Sequence, residues 1–146
     1  MRSINKNRFF LGAVIAAIVL FLISGLVNGA ILGADWSAWQ QSLGTLNHAP
    51  SPLMGMLIWI VVSVVYGVTG MWIYAGIRGF YGPGPKTAVL AGFILWLAGS
   101  LTTTLSHLAL DDIPQRIALI NAIAFLIGDP LAIMAGAAPY KDASGT

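Results

Sequence analysis

The sequence contains no cysteine and no glutamate, and its charge is confined to seven Lys or Arg and five Asp among 146 residues. Without cysteine there is neither a disulfide framework nor thiolate metal chemistry. At 8% charged residues, the chain falls well short of the roughly 25% typical of soluble domains. Twelve charges cannot cover the surface of a soluble domain this size. A lipid environment removes the problem, because there the outer surface should be apolar. The formal charge of +2 rests on a few residues at segment ends. It therefore speaks to membrane orientation, and no nucleic-acid partner is expected.

The remainder is 58% hydrophobic, with a mean hydropathy of +0.84. Four apolar segments follow in order, at about 9–33, 52–77, 87–110 and 117–138. Each exceeds the ~20 residues a helix needs to cross a hydrocarbon layer of ~30 Å. Internal Gly and Pro are tolerated in such helices. The first segment is longer than the ~7–15 apolar residues of a signal peptide and lacks a convincing small-residue cleavage site, so it is expected to remain as a span. The expected fold is an all-α membrane domain over residues 1–146, a four-transmembrane-helix bundle.

The distribution of Lys and Arg sets the expected orientation. Arg2, Lys6 and Arg8 precede the first span, Arg78 and Lys86 flank the second-to-third turn, and Lys141 follows the fourth. The opposite loops hold Asp35, Asp111 and Asp112, with Arg116 as their one basic residue. The positive-inside rule then places both termini in the cytoplasm. Gly79, Gly82, Pro83, Gly84 and Pro85 suit a tight inner turn, with Pro85 at a first helical position. Ser51-Pro52 reads as N-cap and N1 of the second helix. Asp111, Asp112 and Pro114 are expected to open the fourth, with the acidic pair at its positive dipole end. A short helix at about 36–43, capped by Asp35 and ended by Gly44, carries Trp36, Trp39 and Leu43 on one face. It is expected to lie in the outer interface as an anchor or, in a sharper reading, as a lid.

Small residues at intervals of four mark candidate packing faces. The first helix offers Gly25, Gly29 and Gly33, and the fourth Ala124, Gly128, Ala132 and Gly136. The third offers Ala98, Thr102 and Ser106 beside Gly99, Thr103 and His107, and the second Ser63, Gly67 and Gly70. Such ridges let backbones approach closely, which matters because lipid supplies no hydrophobic drive between helices. They serve either the internal packing of one bundle or assembly with a second membrane protein.

Polar residues inside the spans are the candidate functional groups. Asp129 lies roughly 17 residues past Asp112, about 25 Å along a helix at ~1.5 Å per residue, in the inner half of the fourth span. Holding an ionised carboxylate there costs at least ~2.5–3.5 kcal/mol. It should therefore face the bundle interior, carry a proton or find a partner. Pro130 beside it cannot donate to the Leu126 carbonyl. Tyr66 and Thr69 of the second span lie at matching depth. Asp129 is thus either a proton or cation site at a broken helix or a carboxylate satisfied structurally. Nearer the outer face, Asn28, Thr103, Thr104, His107 and Asn121 come from three helices at similar depth, and His107 could bond Asn28 or Asn121. His48 is the only other histidine. Its spacing calls for no metal or haem, so no cofactor is expected. No phosphate loop or catalytic arrangement is present, and Gly82-Pro83-Gly84-Pro85 lacks the amides a phosphate needs.

The stretch 71–93, with Trp72-Ile73-Tyr74-Ala75-Gly76-Ile77-Arg78 and Gly82-Pro83-Gly84-Pro85-Lys86-Thr87-Ala88, resembles a group of short bacterial four-helix multi-pass membrane proteins with no assigned activity. Ala135-Gly136-Ala137 and Tyr140-Lys141 fit the same group. The resemblance implies a bacterial cytoplasmic membrane location and transfers no functional residue. The leading expectation is a non-enzymatic membrane component that assembles with itself or as an accessory subunit. A small oligomeric transporter or channel using Asp129 comes second, and a haem- or quinone-binding protein or enzyme third. The orientation is testable by reporter fusions. Those at Gly84 and Lys141 should report cytoplasmic and one at Gly44 external, and a cytoplasmic Gly44 would overturn the assignment.

Overall fold

A computed structural model describes residues 5–47, 49–110 and 112–141. Its elements are α1 (Lys6–Ile31), α2 (Gly33–Ser42), α3 (Pro52–Tyr81), α4 (Pro85–Leu110) and α5 (Gln115–Ala137), with a 3-10 turn at Gly44–Leu46. No strand occurs among the described residues. Helices α1, α3, α4 and α5 are long and apolar enough to cross a membrane, as expected of a multi-pass membrane protein.

Local chemistry explains most helix ends. Asn5 caps α1, its side chain accepting from the Arg8 amide. Ser51 caps α3 by accepting from the Met54 amide at 3.3 Å, with Pro52 at the first helical position. Helix α3 runs four residues further than the sequence suggested and incorporates Gly79. It stops only at Gly82, whose φ of +83° suits glycine alone. Gly84, at φ +139°, then leads into Pro85, and the Thr87 hydroxyl closes the turn onto the Gly82 carbonyl at 2.7 Å.

Two expected helix starts are placed differently. Helix α2 begins at Gly33, so Asp35 sits in its first turn, where its carboxylate is ion-paired with Arg116. Helix α5 begins at Gln115 with Pro114 before it. Asp112 therefore precedes the helix, and its Oδ1 accepts from His107 Nδ1 at 2.9 Å. Asp111 and His48 lie outside the described residues.

The four long helices form a ring in which α1 packs on α3 and α5, and α4 packs on α3 and α5, with α3 and α5 also touching across the middle. Glycines set how closely these pairs approach. A Cβ on Gly12 would strike the Gly136 carbonyl, and one on Gly67 would strike the Ala13 carbonyl and Ala17 amide. One on Gly92 would overlap the Pro130 backbone, and one on Gly70 would overlap the Ile133 side chain. All lie toward the end of the bundle that carries Lys6, Arg8, Lys86 and Lys141. At that end Arg8 donates to the Pro139 carbonyl at 2.8 Å, bringing the first and last spans together. The Arg78 guanidinium lies 4.8 Å from the Tyr140 ring centre and 5.5 Å from that of Tyr74. Phe10, Ile18, Leu22, Val61, Trp72 and Ile127 point outward, a surface suited to lipid.

The expected ridge of α5 is used internally: Gly128, Ala132 and Gly136 are buried and Ala124 is half-buried. The ridge of α1 is not. Gly25 and Gly29 are exposed, and a Cβ on either would meet nothing within 4 Å. Its buried small residues are instead Gly12, Ala13, Ala16 and Ala17. Ala98, Thr102 and Ser106 of α4 are also exposed, while Ala88, Ala91 and Gly92 are buried. Both helices contain a widened π-type turn, at Gly25–Ile31 and Trp96–Leu101. Such a turn closes over five residues rather than four, so it rotates every later side chain off the face that an even spacing of four implies.

Leucine at Gly92 or Gly136 should lower the thermal stability of the detergent-solubilised protein strongly, beyond the ~1–3 kcal/mol typical of an overpacked core, because backbone stands in the way. Leucine at Gly25 should leave it unchanged. Equal melting of Gly92→Leu and wild type would show that close approach does not hold the bundle together.

Candidate binding cavity

Toward the opposite end, where α2 lies, the helices no longer touch through glycine. A cavity of about 450 Å³ opens among α1, α3, α4 and α5, within the usual ~300–1,000 Å³ of small-molecule sites. Leu20, Val62 and Phe125 supply apolar wall, while Trp59 and Thr103 are exposed at its rim.

Its polar groups gather at two levels. At the α2 end, Asn28 and Asn121 form a reciprocal amide pair, each Nδ2 donating to the other's Oδ1 at 3.0 Å. Trp36 of α2 donates its Nε1–H to Asn28 Oδ1 at 3.0 Å, so α2 is fastened to α1 by this bond and to α5 by the Asp35–Arg116 pair. His107 lines the cavity but bonds Asp112 rather than either asparagine. Thr104 is buried and donates to the Ser100 carbonyl at 3.0 Å.

At the deeper level are Tyr66 and Ser100. The Tyr66 phenol interacts with the hydroxyls of Ser100 and Thr103. It occupies the space over Gly99, where a Cβ would clash with its oxygen. The Ser100 hydroxyl donates to Asp129 Oδ2 at 2.8 Å. Asp129 is 0% exposed and does not line the cavity, so Ser100 and Tyr66 stand between them. Thr69 is exposed and does not line the cavity. The Trp96 Nε1–H donates to the Ala122 carbonyl at 2.8 Å, tying α4 to α5 one turn before Ser100.

The structure thus brings Asn28 and Asn121 together, and Tyr66 close to Asp129, while Thr103 stays on the rim. Sequence reasoning missed Ser100, and it named Trp36 only as part of an interfacial anchor or lid, not as a partner of Asn28. One member of each polar level lies in a π-type turn, Asn28 in one and Ser100 in the other, and such turns are frequent at functional sites. No cluster of three or more His, Cys or acidic residues that could hold a metal occurs among the described residues. Beside the cavity, Gly25, Gly29 and Gly33 floor a second groove of about 610 Å³ between α1 and the first turns of α3. No family model, curated protein or solved structure matches the chain.

Removing the Ser100 hydroxyl leaves a buried carboxyl oxygen without its donor, at about 1–3 kcal/mol. Ser100→Ala should lower thermal stability in detergent accordingly, and Asp129→Leu should lower it further, by burying Tyr66 and Ser100 beside an apolar group. Asp129→Asn, which keeps an acceptor, should be tolerated. A Ser100→Ala protein as stable as wild type would deny the bond a structural role.

Proposed function

We propose that the protein is a small transporter-like binding protein of the bacterial cytoplasmic membrane, with both termini in the cytoplasm. It admits a small, mostly apolar molecule bearing one or two hydrogen-bonding groups from the end of the bundle where α2 lies. The observation that carries this reading is the cavity joining two polar levels through an apolar wall, the composition expected of a small-molecule site. The asparagine pair and the Tyr66–Ser100 hydroxyls would bond the two ends of such a molecule. Helix α2, lying over the Asn28 end, would act as a lid.

A second reading, assembly with another copy or another membrane subunit, is favoured by the exposed glycines at 25 and 29 and by the exposed first turns of α3. In that case Gly29→Leu would reduce complex size while leaving the melting of the single chain unchanged.

The binding reading is tested with a soluble short-chain quinone, an amphipathic probe that quenches tryptophan. Trp36 and Trp59 line the cavity. Quenching should saturate in wild type, and saturation should be lost in Ser63→Phe, which fills the cavity, and in Thr103→Phe at its exposed rim. Quenching that rises without saturation, identically in all three proteins, would refute specific binding.

A further inference from the structure

The cavity reading leaves the Asp129 carboxyl without a role, and its surroundings are unusual. Oδ2 accepts one hydrogen bond, from Ser100, and Oδ1 has no partner among the described residues. An ionised carboxylate has about four acceptor sites and no donor. With one donor against it and no water contact, the charged form is poorly compensated.

Among the described residues no cation stands near enough to compensate. Helix α4 presents Ser100 and has no charged residue between Lys86 and His107. Helix α3 presents the Tyr66 phenol, and its one charged residue, Arg78, lies against Tyr140. Tyr140 is eleven residues beyond Asp129, about 16 Å at ~1.5 Å per residue. Helix α1 has no charged residue after Arg8, and α5 has none between Arg116 and Lys141 except Asp129 itself.

A second feature of α5 points the same way. Pro130 lies inside the helix and has no N–H, so the Leu126 carbonyl lacks its helical donor. Leu126 is three residues before Asp129, on the same face one turn back. The carbonyl freed by Pro130 and the Asp129 Oδ1 that has no partner among the described residues thus belong to residues three apart on α5. A proton on Oδ1 satisfies both.

We propose that Asp129 is a proton-carrying site, neutral in this state, whose Oδ1–H donates to the Leu126 carbonyl while Oδ2 accepts from Ser100. The proton is exchanged with water in the cavity. On loading, the Ser100 hydroxyl passes its proton to Oδ2 and takes one from the Tyr66 hydroxyl, which recovers one from cavity water. Rotation of the carboxyl then turns the new O–H toward Leu126, and release reverses each step. The route, though not the proton itself, rests on the cavity reading.

Infrared spectroscopy of the full-length protein in vesicles at neutral pH tests this. The carboxylic C=O band should be present, disappear in Asp129→Asn and shift on transfer to D2O. The shift should be slower in Ser100→Ala, Tyr66→Phe and Thr103→Phe. If Asp129→Asn fails to fold, wild type labelled with carboxyl-¹³C aspartate identifies the band by its displacement, and Ser100→Ala should raise its frequency as a hydrogen bond is lost. Absence of the band in wild type, or its persistence in Asp129→Asn, overturns the proton site. A band whose exchange is unaffected by Ser100→Ala and Tyr66→Phe overturns the route. Both results are independent of quinone binding, so the binding reading stands or falls separately.

Discussion

Backbone-to-backbone contact at a few glycines is the constraint on which the rest of the structure depends. In lipid the apolar effect gives helices no reason to associate, so close packing must hold them. Gly12 against Gly136, Gly67 against Ala13 and Ala17, and Gly92 against Pro130 bring three helix pairs within backbone reach. Where these contacts end, the helices diverge. Gly99 is covered by the Tyr66 ring rather than by a helix, and Gly25 and Gly29 face open space. The cavity follows from this change in spacing along the bundle: the basic end is drawn tight and the α2 end is held apart.

Two helix irregularities turn that space into a site. Each π-type turn adds a residue to a turn and aims one polar side chain inward, Asn28 from α1 and Ser100 from α4. Pro130 contributes a third irregularity on α5, beside Asp129 and across from Gly92. Asn28, Ser100 and Asp129 thus sit at or beside departures from regular helix, while their partners Asn121 and Tyr66 come from regular stretches of α5 and α3.

This division also accounts for what could be read from the sequence. The four spans, the Ser51 cap, Pro85 at a helix start and the short tryptophan-bearing helix follow from length, hydropathy and local backbone chemistry, and each is present. The α5 ridge from Ala124 to Gly136 was legible because that helix has no π-type turn to shift its face. The ridge at Ala98 was not, because a π-type turn shifts the face and no residue type announces one, and the ridge that starts at Gly25 stands one residue off the buried Ala13–Leu20–Ser24 face of α1. The same shift hid Ser100 as the partner of Asp129. His107 was expected to reach across helices, but Asp112, five residues on, offers a nearer partner.

The central claim, a cavity reached from the α2 end and closed at the basic end, is open to direct measurement. Because the chain has no cysteine, each introduced thiol is unique. Thr104→Cys and Ser63→Cys replace buried cavity residues of similar size. In sealed vesicles of one orientation, a small membrane-impermeant thiol reagent should label both from the face bearing α2 and neither from the face bearing Lys86. Labelling from the Lys86 face, or none from either face in a protein that melts like wild type, would contradict the account.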